Sequence, residues 1–517
     1  MNSIPLLSVL TFIPIAGGIV VTLLGSERAQ IARIVGLTTS LLALILAAGI
    51  WMTFDSTHAG MQLVERAAWM PALGVDYHLG IDGLGLLMIL LAALIVPFAL
   101  VASWSISQRP ALYFSLMLFL EAGLFGTFTA LNFVHWFIFW ELSLIPAFFL
   151  IKMWGGPGRT KAAYQFFVYT LAGSVAMLLA FLAIYAATGS FDFAQLSEMA
   201  RDGGLKAALF HSLGGSFFKS PDTLAMMLFF GVFLGFAVKV PIIPFHTWLP
   251  AAYAEAPTGT SMVLTGAMSK MGVYGFLRIL LPIFPEQARA MQAPLLWLAV
   301  ATIVFSAAAA FAQKDLKRMV AYSSINHLGY CLLGIFAVMQ LTGPGDVWTN
   351  EKSAALNGVM LQMFNHGLTA SALFYFVGLI EQRSGGARDL NAFGGLRKVA
   401  PVFCGLMGIT IFASLGLPGL NGFVGEFLIF KGVFPLASWA AAVSTIGLLL
   451  TAIFLLTILQ RVFSGPLPVK WNVWKDLTAG QCLAVAPVMG LIFVLGIYPR
   501  LLTDVVNPTV LEMLKQF

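Results

Sequence analysis

Apolar runs about as long as a bilayer is thick follow one another along almost the whole chain. A helix needs ~20 apolar residues to cross the hydrocarbon core. The runs read as 4–24, 31–50, 84–103, 111–131, 132–151, 163–187, 223–250, 260–283, 294–312, 319–340, 354–381, 400–433, 436–463 and 480–502. That makes fourteen spans. None shows the strict alternation of a barrel strand, so the backbone must satisfy its hydrogen bonds within helices. The expected fold is all-α, a polytopic membrane protein. Only 10% of the 517 residues are charged, against about 25% in ordinary soluble domains. Such a chain cannot clothe a water-soluble globule. The net charge of +6 is not gathered into a basic patch, which excludes a nucleic-acid partner. The first run lacks a basic flank and continues to Gly25, so it reads as a retained helix and not a cleaved signal.

Charge placement sets the orientation. With the N-terminus outside, the inner loops collect sixteen basic residues against six acids, and the outer segments eight against thirteen. This is the positive-inside pattern with both termini outside. Two spans are too long and are interrupted. The seventh contains Lys239-Val-Pro241-Ile-Ile-Pro244-Phe-His246, and the twelfth contains Gly416-Leu-Pro418-Gly-Leu-Asn-Gly422-Phe-Val-Gly-Glu426. Proline removes an intrahelical donor and glycine loosens the turn. Both should be broken helices, and an odd number of spans apart they run in opposite directions. That is the pattern of two inverted-topology repeats. It divides the chain into helices 1–3 (1–110), a first repeat of helices 4–8 (111–283), a second of helices 9–13 (294–463), and helix 14 with its tail (480–517). The polar stretch 188–222 reads as an outer loop.

Five ionisable residues fall well inside apolar segments: Glu121, Glu141, Lys239, Lys270 and Glu426. Intramembrane charge is costly, and it marks ion or proton pathways far more often than it marks packing. Glu121 and Glu141 each lie ten residues from Leu131, which puts two carboxyls ~15 Å deep at one level at 1.5 Å per residue. Lys239 stands beside a break, and Lys270 is near the middle of the next span. Whether such a lysine keeps its proton depends on whether a counter-charge faces it, which makes a two-state proton carrier possible. His327, within the tenth span, can donate and accept near neutral pH. His246 and His366 are weaker candidates for the same work. Glu426 follows the second break and suits a terminal carboxyl that passes protons to the outer face.

Other chemistries fail. Cys331, Cys404 and Cys482 lie far apart, with no CxxC for a cluster or zinc. The histidines show no metal spacing, and there is no P-loop and no nucleophile elbow. No redox cofactor is expected in this chain.

The segment from Lys239 through His246-Thr-Trp-Leu-Pro250-Ala-Ala-Tyr-Ala-Glu255-Ala-Pro-Thr258 is similar to the signature of the antiporter-like subunits of respiratory complex I. Ser269-Lys270-Met-Gly-Val-Tyr-Gly and Ser323-Ser-Ile-Asn-His327 agree with it. The resemblance spans nearly the whole chain. It points to the M type of bacterial NADH–quinone oxidoreductase, whose mitochondrial counterpart is NADH dehydrogenase subunit 4. The N and L types carry lysine in the broken twelfth helix where this chain has Glu426, and the long lateral helix of the L type is missing. Multisubunit cation/proton antiporters share the fold and motifs and are the rival reading.

The resemblance implies that Glu141 pairs with Lys239, and that Lys270 and His327 continue a hydrated axis to Glu426. It implies coupling at a distance to quinone reduction. FMN, iron–sulfur clusters and quinone would belong to other subunits. The partners would be neighbouring antiporter-like subunits and the lipid of a bacterial inner membrane.

Overall fold

The structure, a computed structural model, describes residues 5–214, 220–340 and 348–515. Twelve helices are each long and apolar enough to cross a membrane. They are spans 1 (Leu6–Leu24), 2 (Ala29–Thr53), 3 (Gly83–Ala102), 4 (Pro110–Thr129), 5 (Phe133–Trp154), 6 (Arg159–Thr188), the first half of 7 (Pro221–Lys239), 9 (Gln292–Phe311), 10 (Leu316–Ala337), 11 (Thr349–Arg383), 13 (Ser438–Phe463) and 14 (Ala479–Ile497). The other two apolar runs are helical but irregular. Span 8 passes from Thr258 to Ile283 through two wide π turns, Leu264–Met268 and Phe276–Leu280. Span 12 is split into Pro401–Ser414 and Asn421–Leu436. Fourteen crossings therefore stand, and the chain is a membrane protein.

The helices start where their sequences allow. Asp82 caps span 3 by accepting from the Gly85 amide at 3.0 Å, and Asn132 caps span 5 by accepting from Val134. Thr478 and Gln481 form a reciprocal capping box on span 14. Each cap satisfies amides that the first helical turn leaves without partners.

Both expected breaks are present. The first half of span 7 ends at Lys239, and after a tight turn the helix resumes as Trp248–Glu255. In span 12 the gap is a loop in which Gly416 and Gly419 adopt φ of 74° and 92°, a region that favours glycine. The π turns of span 8 were not foreseen, because its sequence carries neither proline nor a glycine pair at those turns.

Further features depart from the sequence reading. A β-hairpin, β1 (Gln62–Met70) paired antiparallel with β2 (Val75–Ile81), fills the stretch between spans 2 and 3. Its Glu65 carboxylate accepts from the Leu7 amide at 2.7 Å and so caps span 1 from a distance. His78 sits in β2 and pairs with Asp192 at 2.7 Å. His135 is buried against Tyr77 and Phe139. The polar stretch 188–222 holds two short helices, Phe193–Arg201 and Gly204–Leu213, while 215–219 lies outside the described residues. The tail after span 14 is a helix, Arg500–Leu514, docked on spans 3 and 11.

Spans 10 and 11 are the core, with nearly every residue of their apolar parts buried, whereas spans 1, 2, 13 and 14 are buried along one side only. Span 11 and the second half of span 12 approach closely through small residues. A Cβ on Gly358 would lie 2.5 Å from the Ile429 nitrogen, and one on Gly425 would lie 2.7 Å from Gln362 Oε1. Small residues are what lets helices in lipid come within backbone contact. Replacing Gly358 by Leu should force the two helices apart at a cost of about 1–3 kcal/mol or more. A lowered yield of assembled complex on native gels, together with a lower melting temperature, would register it.

Candidate functional site

The ionisable residues gather where helices are irregular. In span 8 the first π turn leaves the Thr265 carbonyl open, and it accepts from both Ser269 Oγ and Lys270 Nζ. Lys270 is fully buried and reaches His366 Nδ1 of span 11 at 3.0 Å. The rings of His366 and His327 lie 4.9 Å apart. His327 in turn spans the gap in span 12. Its Nε2 is 3.3 Å from Ser414 Oγ, at the end of the first half, and its Nδ1 is 3.0 Å from Glu426 Oε1 in the second half. Lys270, His366, His327 and Glu426 thus stand in one row, in polar contact except between His366 and His327, whose rings only pack together.

Gln362 completes the far end. Its amide nitrogen lies 3.3 Å from His327 Nδ1 and 3.4 Å from Glu426 Oε1. Both nitrogens are donors when His327 carries its proton on Nδ1, so the shared carboxylate oxygen is what accepts. Sequence reasoning missed Gln362, Thr265 and Ser414. A legible signal existed for the first: Gln362, Asn365, His366 and Thr369 form a polar stripe at helical spacing in span 11.

Lys239 stands apart from this row. Its ammonium has no hydrogen-bond partner and lies 4.8 Å from the centre of the Trp140 ring, close enough for a cation–π contact. Lys239 and Ser269 border one small void with no room for a water molecule, and Ser269 Oγ is 3.4 Å from Lys270 Nζ. Glu141 is an electrostatic neighbour of Lys239 with Ser174 at its side, but among the described residues no ion pair within 4.0 Å joins the two. The direct Glu141–Lys239 pairing implied by the resemblance is therefore corrected to interaction through space. One Glu141 oxygen is unpartnered, and the residue is partly exposed on the side of the bundle.

Glu121 and Glu141 lie on adjacent antiparallel helices but face opposite sides. Glu121 is fully buried and accepts from Ser40 Oγ of span 2 at 2.8 Å. His246 is partly exposed after the break in span 7, with Nδ1 unpartnered and its ring 6.4 Å from that of Tyr322. Neither touches the row. Among the described residues no group of three or more His, Cys, Asp or Glu could hold a metal ion.

Residues 130–453 match the family described as NADH:quinone oxidoreductase/Mrp antiporter, transmembrane. Subunit M of NADH–quinone oxidoreductase from Rhodobacter capsulatus is 36% identical over 99% of this chain and 97% of its own length. The chain belongs to the subunit M family of NADH–quinone oxidoreductase. A chain of respiratory complex I from Thermus thermophilus superposes with a TM-score of 0.83 at 28% identity, with 99% of each chain covered. A chain of the Mrp complex from Dietzia sp. DQ12-45-1b gives 0.81 at 20% identity, covering 99% of this chain and 97% of its own, which is likeness of fold. Subunit M and Mrp chains therefore share one architecture, and full-length sequence identity places this chain with subunit M.

The contact between His327 and Glu426 in this subunit M relative can be checked spectroscopically. In infrared difference spectra, the carboxyl band lost in Glu426→Gln should shift in His327→Leu. The band lost in Glu121→Gln should not move.

Proposed function

We propose that this chain is a proton-translocating membrane subunit of a bacterial NADH–quinone oxidoreductase. It carries no redox centre and holds protons on a row of buried side chains. FMN, iron–sulfur clusters and quinone reside in other subunits, and quinone reduction there drives this chain at a distance. The chain lies in the inner membrane beside other antiporter-like subunits, with both termini on the periplasmic side, as its basic inner loops favour. Repeats 111–283 and 294–463 each contribute one broken helix to the pathway.

The observation that carries this reading is the row from Lys270 through His366 and His327 to Glu426 in the interior of a membrane protein. Each member can gain or lose a proton without moving its backbone. Lys239 stands upstream of the row, and the Glu141 carboxylate biases it. When Glu141 is charged, the ammonium of Lys239 is favoured; when that charge is screened or protonated, Lys239 releases its proton toward Lys270. Glu121 and His246, which touch none of these groups, have supporting roles at most. A cation/proton antiporter would use the same residues, but full-length identity to subunit M favours the redox-coupled complex.

Two sets of variants test it in vesicles holding the assembled complex, with NADH-driven proton uptake as the readout. Glu141→Ala and Lys239→Ala should each lose most proton uptake, and near-normal uptake in both would sink the relay. At position 426, uptake should fall in the order Glu, Lys, then Gln and Ala near the floor, because only a titratable group can hold a proton beside His327. Full uptake by Glu426→Gln would remove Glu426 from the pathway.

A further inference from the structure

A cavity of about 320 Å³ lies on the face that carries both termini, where four separate elements meet. Val64 and His78 of the hairpin, Ser197 and Arg201 of the helix Phe193–Arg201, Arg278 of span 8 and Met513 of the C-terminal helix all line it. Cavities that hold small ligands begin at ~300 Å³. No member of the proton row reaches this one, and among the described residues on its wall there is no carboxylate. Its polar groups are donors, and several of them have nothing to donate to.

Arg278 stands in the second wide turn of span 8, Phe276–Leu280, a feature that no proton carrier uses. One end of its guanidinium pairs with Asp82 at 2.5 Å, and the group lies 5.6 Å from the centre of the Tyr274 ring. These contacts fix the side chain yet leave its buried Nε without a partner. Ser197 is only 7% exposed, and its hydroxyl is unpartnered too. A buried donor without an acceptor is costly, so a ligand that supplies acceptors is favoured there. Arg201 is exposed at the edge and enters no ion pair among the described residues. Asp82 balances Arg278, and Asp192 faces His78 Nδ1 at 2.7 Å. One positive charge, that of Arg201, is left over. An arginine fork with two further donors suits the oxygens of a phosphate. A single surplus charge matches a phosphodiester, which carries one negative charge. Leu131, Phe193 and Leu277 complete the wall and offer apolar surface to the carbons of a glycerol.

We propose that this cavity binds the phosphodiester headgroup of an anionic glycerophospholipid from the leaflet on the side of the termini. Ser197 Oγ and Arg278 Nε donate to the phosphate oxygens, and Arg201 holds the headgroup from the exposed edge. The bound lipid joins the hairpin, the helix Phe193–Arg201, the end of span 8 and the C-terminal helix through one anion. The inference does not depend on the proton-translocating reading.

Ala194, on the wall at its exposed edge, gives a reporter outside the hydrogen-bonding set. The assembled complex carrying Ala194→Cys is placed in lipid nanodiscs of phosphatidylcholine alone or with added phosphatidylglycerol. Alkylation of that cysteine by an uncharged maleimide is timed by mass spectrometry of its peptide. Phosphatidylglycerol should slow the reaction, and the soluble diester glycerophosphoglycerol should do so only at much higher concentration. Adding Arg201→Gln, or in a separate variant Ser197→Ala, should weaken the protection by about tenfold, as expected for one lost charge-assisted contact. Glu198→Cys, on the same helix but off the cavity wall, should react at one rate in both lipids. Equal rates at position 194 in the two lipids would overturn the site. Protection that survives both Arg201→Gln and Ser197→Ala, or that appears equally at position 198, would overturn it as well. Protection by the soluble diester as strong as that by the lipid would overturn the lipid as its source.

Discussion

A charged or polar side chain in hydrocarbon is tolerated only if it meets a partner, and a continuous helix offers none from its own backbone. The architecture answers that constraint by spoiling helices where charge is needed. Lys239 ends the first half of span 7. Lys270 takes a carbonyl exposed by the π turn of span 8. His327 lies across the gap of span 12, with Ser414 on one side of the gap and Glu426 on the other. Wide turns and a helix gap are therefore the means by which Lys270 and His327 obtain polar partners.

The unbroken helices do complementary work. Span 11 stays continuous from Thr349 to Arg383 and supplies His366 and Gln362 to the row from a rigid support. It packs against the second half of span 12 closely enough that Gly358 and Gly425 have no room for a side chain. This contact holds Gln362 of span 11 against Glu426 of span 12, 3.4 Å apart. Outside the bilayer, the β-hairpin and the C-terminal helix brace helix ends. Glu65 caps span 1, and Thr509 Oγ1 accepts from the Gly83 amide at 2.9 Å. Neither element carries a relay residue.

Much of the site was legible one residue at a time. Glu141, Lys239, Lys270, His327 and Glu426 announce themselves as charges or an imidazole inside apolar runs, because the cost of burial makes such residues rare. His366 was only a weak candidate in the sequence, since a lone histidine on a helix has no readable partner, yet it is the link between Lys270 and His327. Gln362 carries no charge and passed unnoticed. The hairpin was lost because a polar connection of some thirty residues between spans gives no signal comparable to a hydrophobic run.

The sequence by itself determined the class of the molecule, the number of crossings, the two breaks and the placing of five charges inside the helical spans. Each of these follows from local composition: hydrophobic length, proline and glycine placement, and the energetic penalty on charge in lipid. Only the tertiary structure decided which buried groups meet. It sent Glu121 toward Ser40 and Glu141 toward Lys239 although both lie at one depth, kept Glu141 and Lys239 out of direct contact, and drew His366 into the row. The reason is that a helix fixes the depth of a side chain by counting residues, while its direction depends on how the helix is turned against its neighbours. That rotation is set by packing summed over whole helices, such as the close approach at Gly358, and no short stretch of sequence contains it.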